Sequence, residues 1–466
     1  MKPGTIVSKL GIRHVEAGLL FLLTTVIIGM RAQLSMAMVA MTDLNKNTTA
    51  NPDVPVYDWD NQSTMLSSFL WGYLWLQVIA GNVGRVYGTK WFLLIAMTIN
   101  STLSCLLPLF AHLMGSYGVM LCRCLQGLSQ GFFYPSIHNL ISLWSPISER
   151  GVFSSIAFAG SPFGTIITMP IVGYISSSWW GWPASFYLYG GLGYLWVILY
   201  FFLGADSPDK HPWISEREKR YIKSDLGEET VKMQVPWKAI LTNRPFWVIW
   251  INAVAQFWCW QTLLAEMPTY MNKILKYDIK SNGLLSSIPY IVNFITVIAS
   301  GSIADIIIKR NILSTIWTRK MFTFIGSMVP ALSLLALGFV PDDQRTLSVI
   351  LLVIGVGIPA ACFVGSGINH IDIAPSFAGI VLAIINSCGS FVSIFGPLSV
   401  QLIDETKKGQ WAIIFTIAAV MYGVSSILFL FFATADIQDF DPANKEKMTK
   451  RKMREKKHSV ISVISM

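Results

Sequence analysis

Arg31 is the residue in this sequence that most needs a chemical reason. It interrupts an apolar run from Ala17 to Met41, with about ten apolar residues on either side, too many for its side chain to snorkel to an interface. An ionisable group at such depth costs about 2.5–3.5 kcal/mol on insertion scales. A guanidinium facing a water-filled cavity offsets that cost and offers a planar fork to a carboxylate or phosphate. The alternative is a structural charge paired with a neighbouring helix. A second feature is a polar stripe formed by Arg123, Gln126, Gln130, Tyr134 and His138. On one helix turning about 100° per residue, these side chains fall within about 60° either side of Arg123. One narrow polar face on an apolar helix predicts the wall of a substrate-binding cavity; hydrogen bonding that glues a helix bundle is the other reading.

Further candidates are sparse. Glu266, two residues before Pro268, predicts a carboxylate at the outer, interfacial end of its helix; with His138 it is a candidate for ion coupling. Asp305 ends a glycine-led turn, Gly301-Ser302-Ile303-Ala304-Asp305, and reads as a gating residue. His370 and Asp372 lie near the end of another apolar run. All six cysteines (Cys105, Cys122, Cys124, Cys259, Cys362, Cys388) fall in apolar runs without metal-ligand spacing to histidine, so neither a metal site nor a disulfide framework is expected. No phosphate-cradling loop and no nucleophile elbow occurs, so the sequence predicts neither an enzyme nor a bound cofactor.

The elements that must hold these groups follow from composition. Of 466 residues, 53% are hydrophobic and 13% charged, where globular domains average roughly 25% charged; the mean hydropathy is +0.53. These values predict an all-α polytopic membrane protein. Twelve crossings of about 20 residues need about 240 residues, close to the apolar supply. Apolar runs place spans at 15–41, 64–84, 91–112, 116–141, 152–175 and 184–204, then at 246–270, 283–307, 316–340, 347–370, 376–401 and 411–434. The first run, though preceded by Lys2, Lys9 and Arg13, is longer than a cleavable signal and is expected to be retained. The layout is an N-terminal six-helix half (1–204), a polar linker (205–245), a second six-helix half (246–434) and a basic tail (435–466).

The net charge of +9 owes much to the stretch Lys445–Lys457. A basic segment after a last span is ordinary positive-inside sequence, so nucleic-acid binding is not expected. Lysine and arginine also gather in the N-terminus, the Arg85–Lys90 turn, Arg150, 205–245 and Lys309–Lys320, which predicts that both termini are cytoplasmic. The acidic 42–63 loop then lies outside or in a lumen, and Asn47 of its Asn-Thr-Thr triplet is the expected glycosylation acceptor. The glycine-led turn at 81–90 precedes that at 301–305 by 220 residues, a faint internal repeat. Two six-helix halves with this turn match the layout of transporters that hold substrate between halves near the midplane.

The sequence resembles the anion:cation symporter branch of the major facilitator superfamily, which includes sialin, vesicular glutamate transporters and type I sodium/phosphate cotransporters. The likeness rests on Arg31 with Leu34-Ser35-Met36-Ala37-Met38, on Phe69-Leu70-Trp71-Gly72-Tyr73, and on Arg123, Gln126-Gly127, Tyr134-Pro135 and His138. It extends to Pro268-Thr269-Tyr270-Met271 and, most specifically, to Asn369-His370-Ile371-Asp372-Ile373-Ala374-Pro375. The resemblance implies alternating-access transport of an anion, with Arg31 as its ligand, Arg123 and Tyr134 in or near the cavity, and Asn369, His370 and Asp372 in a structural or gating cluster. Proton-coupled members carry glutamate where this chain has Gln130, sialin-like members also where it has Gln126, and neither amide titrates. Glutamate carriers have a second arginine where Gln256 stands.

The expected function is therefore secondary active transport of inorganic phosphate or a small organic anion. Sodium as co-substrate or the membrane potential would drive it. The alternative is a proton-coupled symporter of sialate or acidic amino-acid type; an anion channel or a non-transporting sensor on the same fold ranks lower. The residues leave open whether the solute is phosphate, urate, sialate or a dicarboxylate. The expected partners are that solute and membrane lipid, with no obligate protein partner. The membrane is the plasma membrane or a lysosomal or vesicular one.

Overall fold

The computed structural model describes residues 11–44, 50–146, 149–225, 235–341, 343–403, 406–442 and 444. Asn47, the Lys445–Lys457 stretch and the Arg85 side chain lie outside the described residues.

Long apolar segments in lipid must satisfy their backbone groups internally, which selects helices. The first half contains α1 (Ile12–Met41), α2 (Gln62–Tyr87), α3 (Lys90–Gln130), α4 (Phe133–Trp144), α5 (Arg150–Ser177) and α6 (Gly181–Leu203). Two short helices follow, α7 (Glu216–Asp225) and α8 (Trp237–Leu241). The second half has α9 (Arg244–Lys273), α10 (Ile279–Lys309), α11 (Thr315–Leu337), α12 (Arg345–Gly357), α13 (Ser366–Ile373), α14 (Ala378–Ser393), α15 (Phe395–Val400) and α16 (Lys408–Phe432). Ten helical stretches among the described residues are long and apolar enough to cross a membrane. One of them, Lys90–Trp144, folds into two crossings at Gly115, whose φ of 60° and ψ of −142° reverse the chain. With α2 the chain makes twelve crossings, six in each half. The tenth is built from α12, a 3-10 turn at Ile358–Phe363 and α13, and the eleventh from α14 and α15.

Within the first half α1 packs on α5 and α6, and α2 on α3; within the second, α9 packs on α14 and α16, and α11 on α16. The halves meet through α5 against α10, α2 against α14 and α15, and α1 against α9. This seam is tightest at the face that carries the 42–63 loop, here called the loop face. There Gly173 and Gly283 let α5 and α10 touch: a Cβ on Gly173 would sit 2.8 Å from Ile279 O, and one on Gly283 2.7 Å from Met169 O. At the same face Gln401 accepts from Thr64 N at 3.2 Å and donates to Asp60 O, and Lys273 Nζ donates to Gln62 Oε1 at 3.3 Å.

At the opposite face, where the described chain begins and ends, the contacts run within each half. Glu218 of α7 accepts from the backbone N–H groups of Ile12 and Arg13, both at 3.1 Å, capping α1. The same carboxylate pairs with the Arg13 guanidinium at 3.1 Å, and Arg13 also reaches Glu149 at 3.0 Å. The linker helix is thereby pinned to the first half. In the second half Arg319 pairs with Asp372 at 2.8 Å and donates to Val364 O at 2.8 Å.

Candidate functional site

Arg31 projects from the middle of α1 into the seam between halves. Its guanidinium carbon lies 4.4 Å from the ring centroid of Phe69 and 4.9 Å from that of Tyr73, both on α2 one turn apart. Cation–π contacts of this kind are worth about 2 kcal/mol when desolvated, short of neutralising the charge. Phe69 is held there because Gly72 and Gly127 let α2 and α3 approach backbone to backbone. A Cβ on Gly127 would overlap the Phe69 carbonyl oxygen, and one on Gly72 that of Cys124. Nε and Nη2 of Arg31 are buried without a hydrogen-bond partner.

Arg123 approaches the same ring, its guanidinium carbon 5.2 Å from the Phe69 centroid. It donates to Met30 O at 3.0 Å, to Arg31 O at 3.1 Å and to Gln126 Oε1 at 3.2 Å, while its Nε is buried unpartnered. Two guanidiniums thus flank one aromatic ring, and none of the ion pairs found among the described residues involves either. Between them and α9 lies a cavity lined by Arg31, Ser35, Phe69, Arg123, Gln261, Leu264 and Ala265, with about 10 Å³ open to the centre of a water. That is room for about one water molecule. Ser35 comes from α1 and Gln261 from α9, so both halves contribute walls.

The polar stripe spans a local break in the helical hydrogen bonding, across which Gly131 and Phe132 keep helical backbone angles. α3 ends at Gln130 and α4 begins at Phe133. Pro135 has no N–H to return to the carbonyl of Gly131, which interrupts the ladder there. Upstream of the break the side chains bind the helices together: Gln126 holds Arg123 and donates to Asn100 O at 3.5 Å, and Gln130 Nε2 donates to Ile27 O at 3.4 Å. Downstream, Tyr134 is half-buried, packs against the Phe69, Leu70 and Tyr73 cluster that Ile394 of the second half also meets, and shares a hydrogen bond with Ser161 at 3.2 Å. His138, one turn further from the loop face on the same side of α4, is exposed and lies 5.0 Å from the Phe158 ring. The structure therefore brings Arg31, Arg123, Gln126 and Gln130 together and sets Tyr134 and His138 against α5, farther from the loop face.

The remaining candidates lie elsewhere. Glu266 is 2% exposed, because α9 continues through Pro268 to Lys273 and the carboxylate is not at a helix end; it follows the cavity residue Ala265 in sequence. Asp305 is exposed and meets Lys309 of its own helix at 3.8 Å. Asn369, His370 and Asp372 lie on α13 at the termini face, where Asn369 donates to Thr434 O at 2.9 Å and Asp372 takes Arg319. Gln256 donates to Ser327 and Cys362, both at 3.1 Å, inside the second half. The six cysteines are free thiols. Sequence reading missed Gln261 and the roles of Phe69 and Tyr73. The i, i+4 aromatic pair was the available signal for these two, but aromatics are too common in membrane helices for it to stand out.

A sequence profile of the Major Facilitator Superfamily matches residues 20–397. The chain belongs to this superfamily. Relatives place it in the anion:cation symporter branch. A Drosophila ananassae protein named for inorganic phosphate cotransport is 34% identical over 444 residues, covering 90% of this chain and 92% of its own length. Sialin of Homo sapiens is 34% identical over 437 residues (89% and 88%), and vesicular glutamate transporter 3 of Danio rerio is 33% identical over 430 (89% and 72%). Among solved structures, a bacterial homologue of the human lysosomal transporter Spinster, inward-facing and unoccupied, superposes with a TM-score of 0.67 at 13% identity, over 92% of this chain and 99% of that one. A D-xylose–proton symporter gives 0.66 at 16%, over 90% and 99%. The major facilitator fold puts the Arg31 cavity between the two halves, the position where such proteins hold substrate near the midplane.

Proposed function

We propose that this major facilitator chain carries a small anion, inorganic phosphate or a compact organic acid, by alternating access, and that Arg31 is its ligand. The observation that carries this reading is the pair of guanidiniums on Phe69 with three buried, unpartnered nitrogens. At about 2.5–3.5 kcal/mol per charge, two unneutralised cations at span depth favour whatever anion can reach them. Arg123 braces the α1 backbone at Arg31 and adds positive potential; Gln126 and Gln130 hold that brace. Tyr134 and His138 line the approach, and the α13 cluster with Arg319 anchors the opposite face. Among the described residues the cavity walls contain no carboxylate, so they offer an amino acid's ammonium no charged partner. This favours a simple anion over glutamate, and the relative named for phosphate cotransport supports it. The equal identity to sialin keeps an organic acid in play.

Gln126 and Gln130 do not titrate, so they cannot carry a net proton between conformations, which supports sodium or the membrane potential as the driving force, with sodium as co-substrate in the first case. The positive-inside count supports cytoplasmic termini, in a plasma, lysosomal or vesicular membrane. The test is uptake in proteoliposomes of radiolabelled phosphate and a panel of labelled organic anions. A sodium gradient or a clamped potential should drive accumulation, and Arg31→Ala should abolish it while the protein stays folded. Accumulation driven by a pH gradient alone would establish the proton-coupled alternative, and retained uptake in Arg31→Ala would remove that residue from the site.

A further inference from the structure

Away from the substrate cavity, a groove of about 320 Å³ runs along the outer surface of α11 where it crosses α16. That volume is at the lower end of the range for ligand sites, about 300–1,000 Å³. Its walls are Leu313, Trp317, Met321, Phe324, Ile325 and Leu430, with Lys320 as the lone charged residue among them. It lies at the termini face, because Arg319 beside it pairs with Asp372 of α13 and α13 is tied to Thr434, just after α16. One end of the groove is thus at interfacial depth and the other, toward Ile325, reaches into the hydrocarbon.

The charges around it are one-sided. Arg319 turns inward to Asp372, and Lys309 meets Asp305 at 3.8 Å between two well-exposed side chains. Lys320 instead has its ammonium 5.4 Å from the Trp317 ring centroid, held by the aromatic face rather than by an acid. Arg310 is exposed in the turn before α11, and the helix N-terminus after the Ser314 cap adds partial positive charge. An apolar channel for a chain, an indole at interfacial depth and an unneutralised ammonium at its mouth match the two ends of one molecule.

We propose that this groove binds an anionic phospholipid of the termini-side leaflet, its phosphate against Lys320 and an acyl chain along Trp317, Phe324 and Ile325. A zwitterionic lipid fills the apolar part equally but carries its own ammonium to the same mouth, so the lone cation sets headgroup preference. Basic residues near a membrane surface contribute about 1 kcal/mol each toward anionic lipid, and the full chain's substrate site plays no part in this contact.

The experiment uses the full chain purified in a neutral detergent, read by native mass spectrometry and thermal unfolding. Phosphatidylglycerol, phosphatidylcholine of the same chains, and glycerol 3-phosphate are titrated separately. Phosphatidylglycerol should be retained preferentially and raise the unfolding midpoint more than phosphatidylcholine, with glycerol 3-phosphate inert. Lys320→Gln should weaken the apparent affinity for phosphatidylglycerol about fivefold and leave phosphatidylcholine unchanged. Lys320→Arg should behave as wild type, and Lys238→Gln, the same charge change on exposed α8, should have no effect. Equal binding of both lipids, an unaltered Lys320→Gln, or an equal shift from glycerol 3-phosphate would each overturn the proposal. Should Lys320→Gln fail to fold, Leu430→Trp fills the groove without touching the charge and must displace the retained lipid.

Discussion

Replacing Gln401 with alanine should loosen the seal between the halves at the loop face. One side chain makes that joint from both ends of its amide. Oε1 accepts from Thr64 N at 3.2 Å and from Thr64 Oγ1 at 3.4 Å, while Nε2 donates to Asp60 O. Each such bond contributes about 0.5–1.5 kcal/mol net. Gln401 is half-buried and water can take over part of its role, so the low end applies and the loss totals about 1–2 kcal/mol. Lys273 and Gln62 remain to hold the same edge. A change of that size moves a two-state equilibrium about 5- to 30-fold toward the form open at the loop face. The assay places a cysteine at Ser35, a buried wall of the Arg31 cavity, in a background lacking the six native cysteines. A membrane-impermeant maleimide is then applied from the loop face, where labelling should accelerate about 5- to 30-fold in Gln401→Ala. An unchanged rate would show that Gln401 carries no share of the seal. Equal acceleration from both faces would mean general loosening and would refute the reasoning as surely.

Other substitutions test other joints. Glu218→Ala strips Arg13 of one of two carboxylates and uncaps α1. Because Glu149 remains, the cost is at the low end for a broken buried pair, about 3 kcal/mol, and should appear as a lower unfolding midpoint and faster proteolysis of the linker. Gly127→Ala pushes a Cβ into the Phe69 carbonyl. Overpacking costs about 1–3 kcal/mol, and anion uptake should fall with it, whereas Gly191→Ala, which meets open space, should transport normally. Asp278 caps α10, accepting from Ser281 N at 3.1 Å, and hydrogen bonds from Ser281 hold its carboxyl below the usual range. Its stabilisation is therefore present above the ordinary carboxyl pKa and is lost as pH falls through the depressed value. Asp278→Ala should cost about 0.5–1 kcal/mol at pH 7 and at pH 5, with the difference shrinking as pH falls below the ordinary carboxyl range.

What was legible in the sequence was set by solvent preference, and what was not was set by contacts between distant segments. Twelve crossings follow from apolar runs alone, and the depth of Arg31 follows from the runs on either side. The span boundaries drifted because helices continue past the apolar limit: α9 passes Pro268 and reaches Lys273, so Glu266 is packed within the helix bundle and not at a helix end. The stripe of Arg123, Gln126, Gln130, Tyr134 and His138 was read at one helical period, and the backbone stays helical through Gly131 and Phe132, but its two ends meet different surroundings. That Arg123 would be occupied by the carbonyls of Met30 and Arg31 was beyond periodicity, which says which face is polar and not what meets it. Phe69, Tyr73 and Gln261 are ordinary membrane-helix residues until α2 and α9 bring them to Arg31.

The division of charge between the halves bears on how the carrier moves. Both cavity arginines, the ring they share and the carbonyls that brace Arg123 belong to α1, α2 and α3, all in the first half. The second half brings Gln261, Leu264 and Ala265 to the cavity, which carry no charge. With the anion site placed at these arginines as proposed, a rocking motion between rigid halves carries it as one body and moves the uncharged wall of α9 past it. Had the guanidiniums been paired with a carboxylate across the seam, each opening would have had to break an ion pair in low dielectric, at a cost of about 3–5 kcal/mol. Here the described bonds across the loop face include amide, hydroxyl and backbone groups and the donation from Lys273 to the Gln62 amide. Among the described residues this edge is held by apolar contact and a few hydrogen bonds, so with Arg31 in its proposed role a bound anion travels with its half while the other half moves over it.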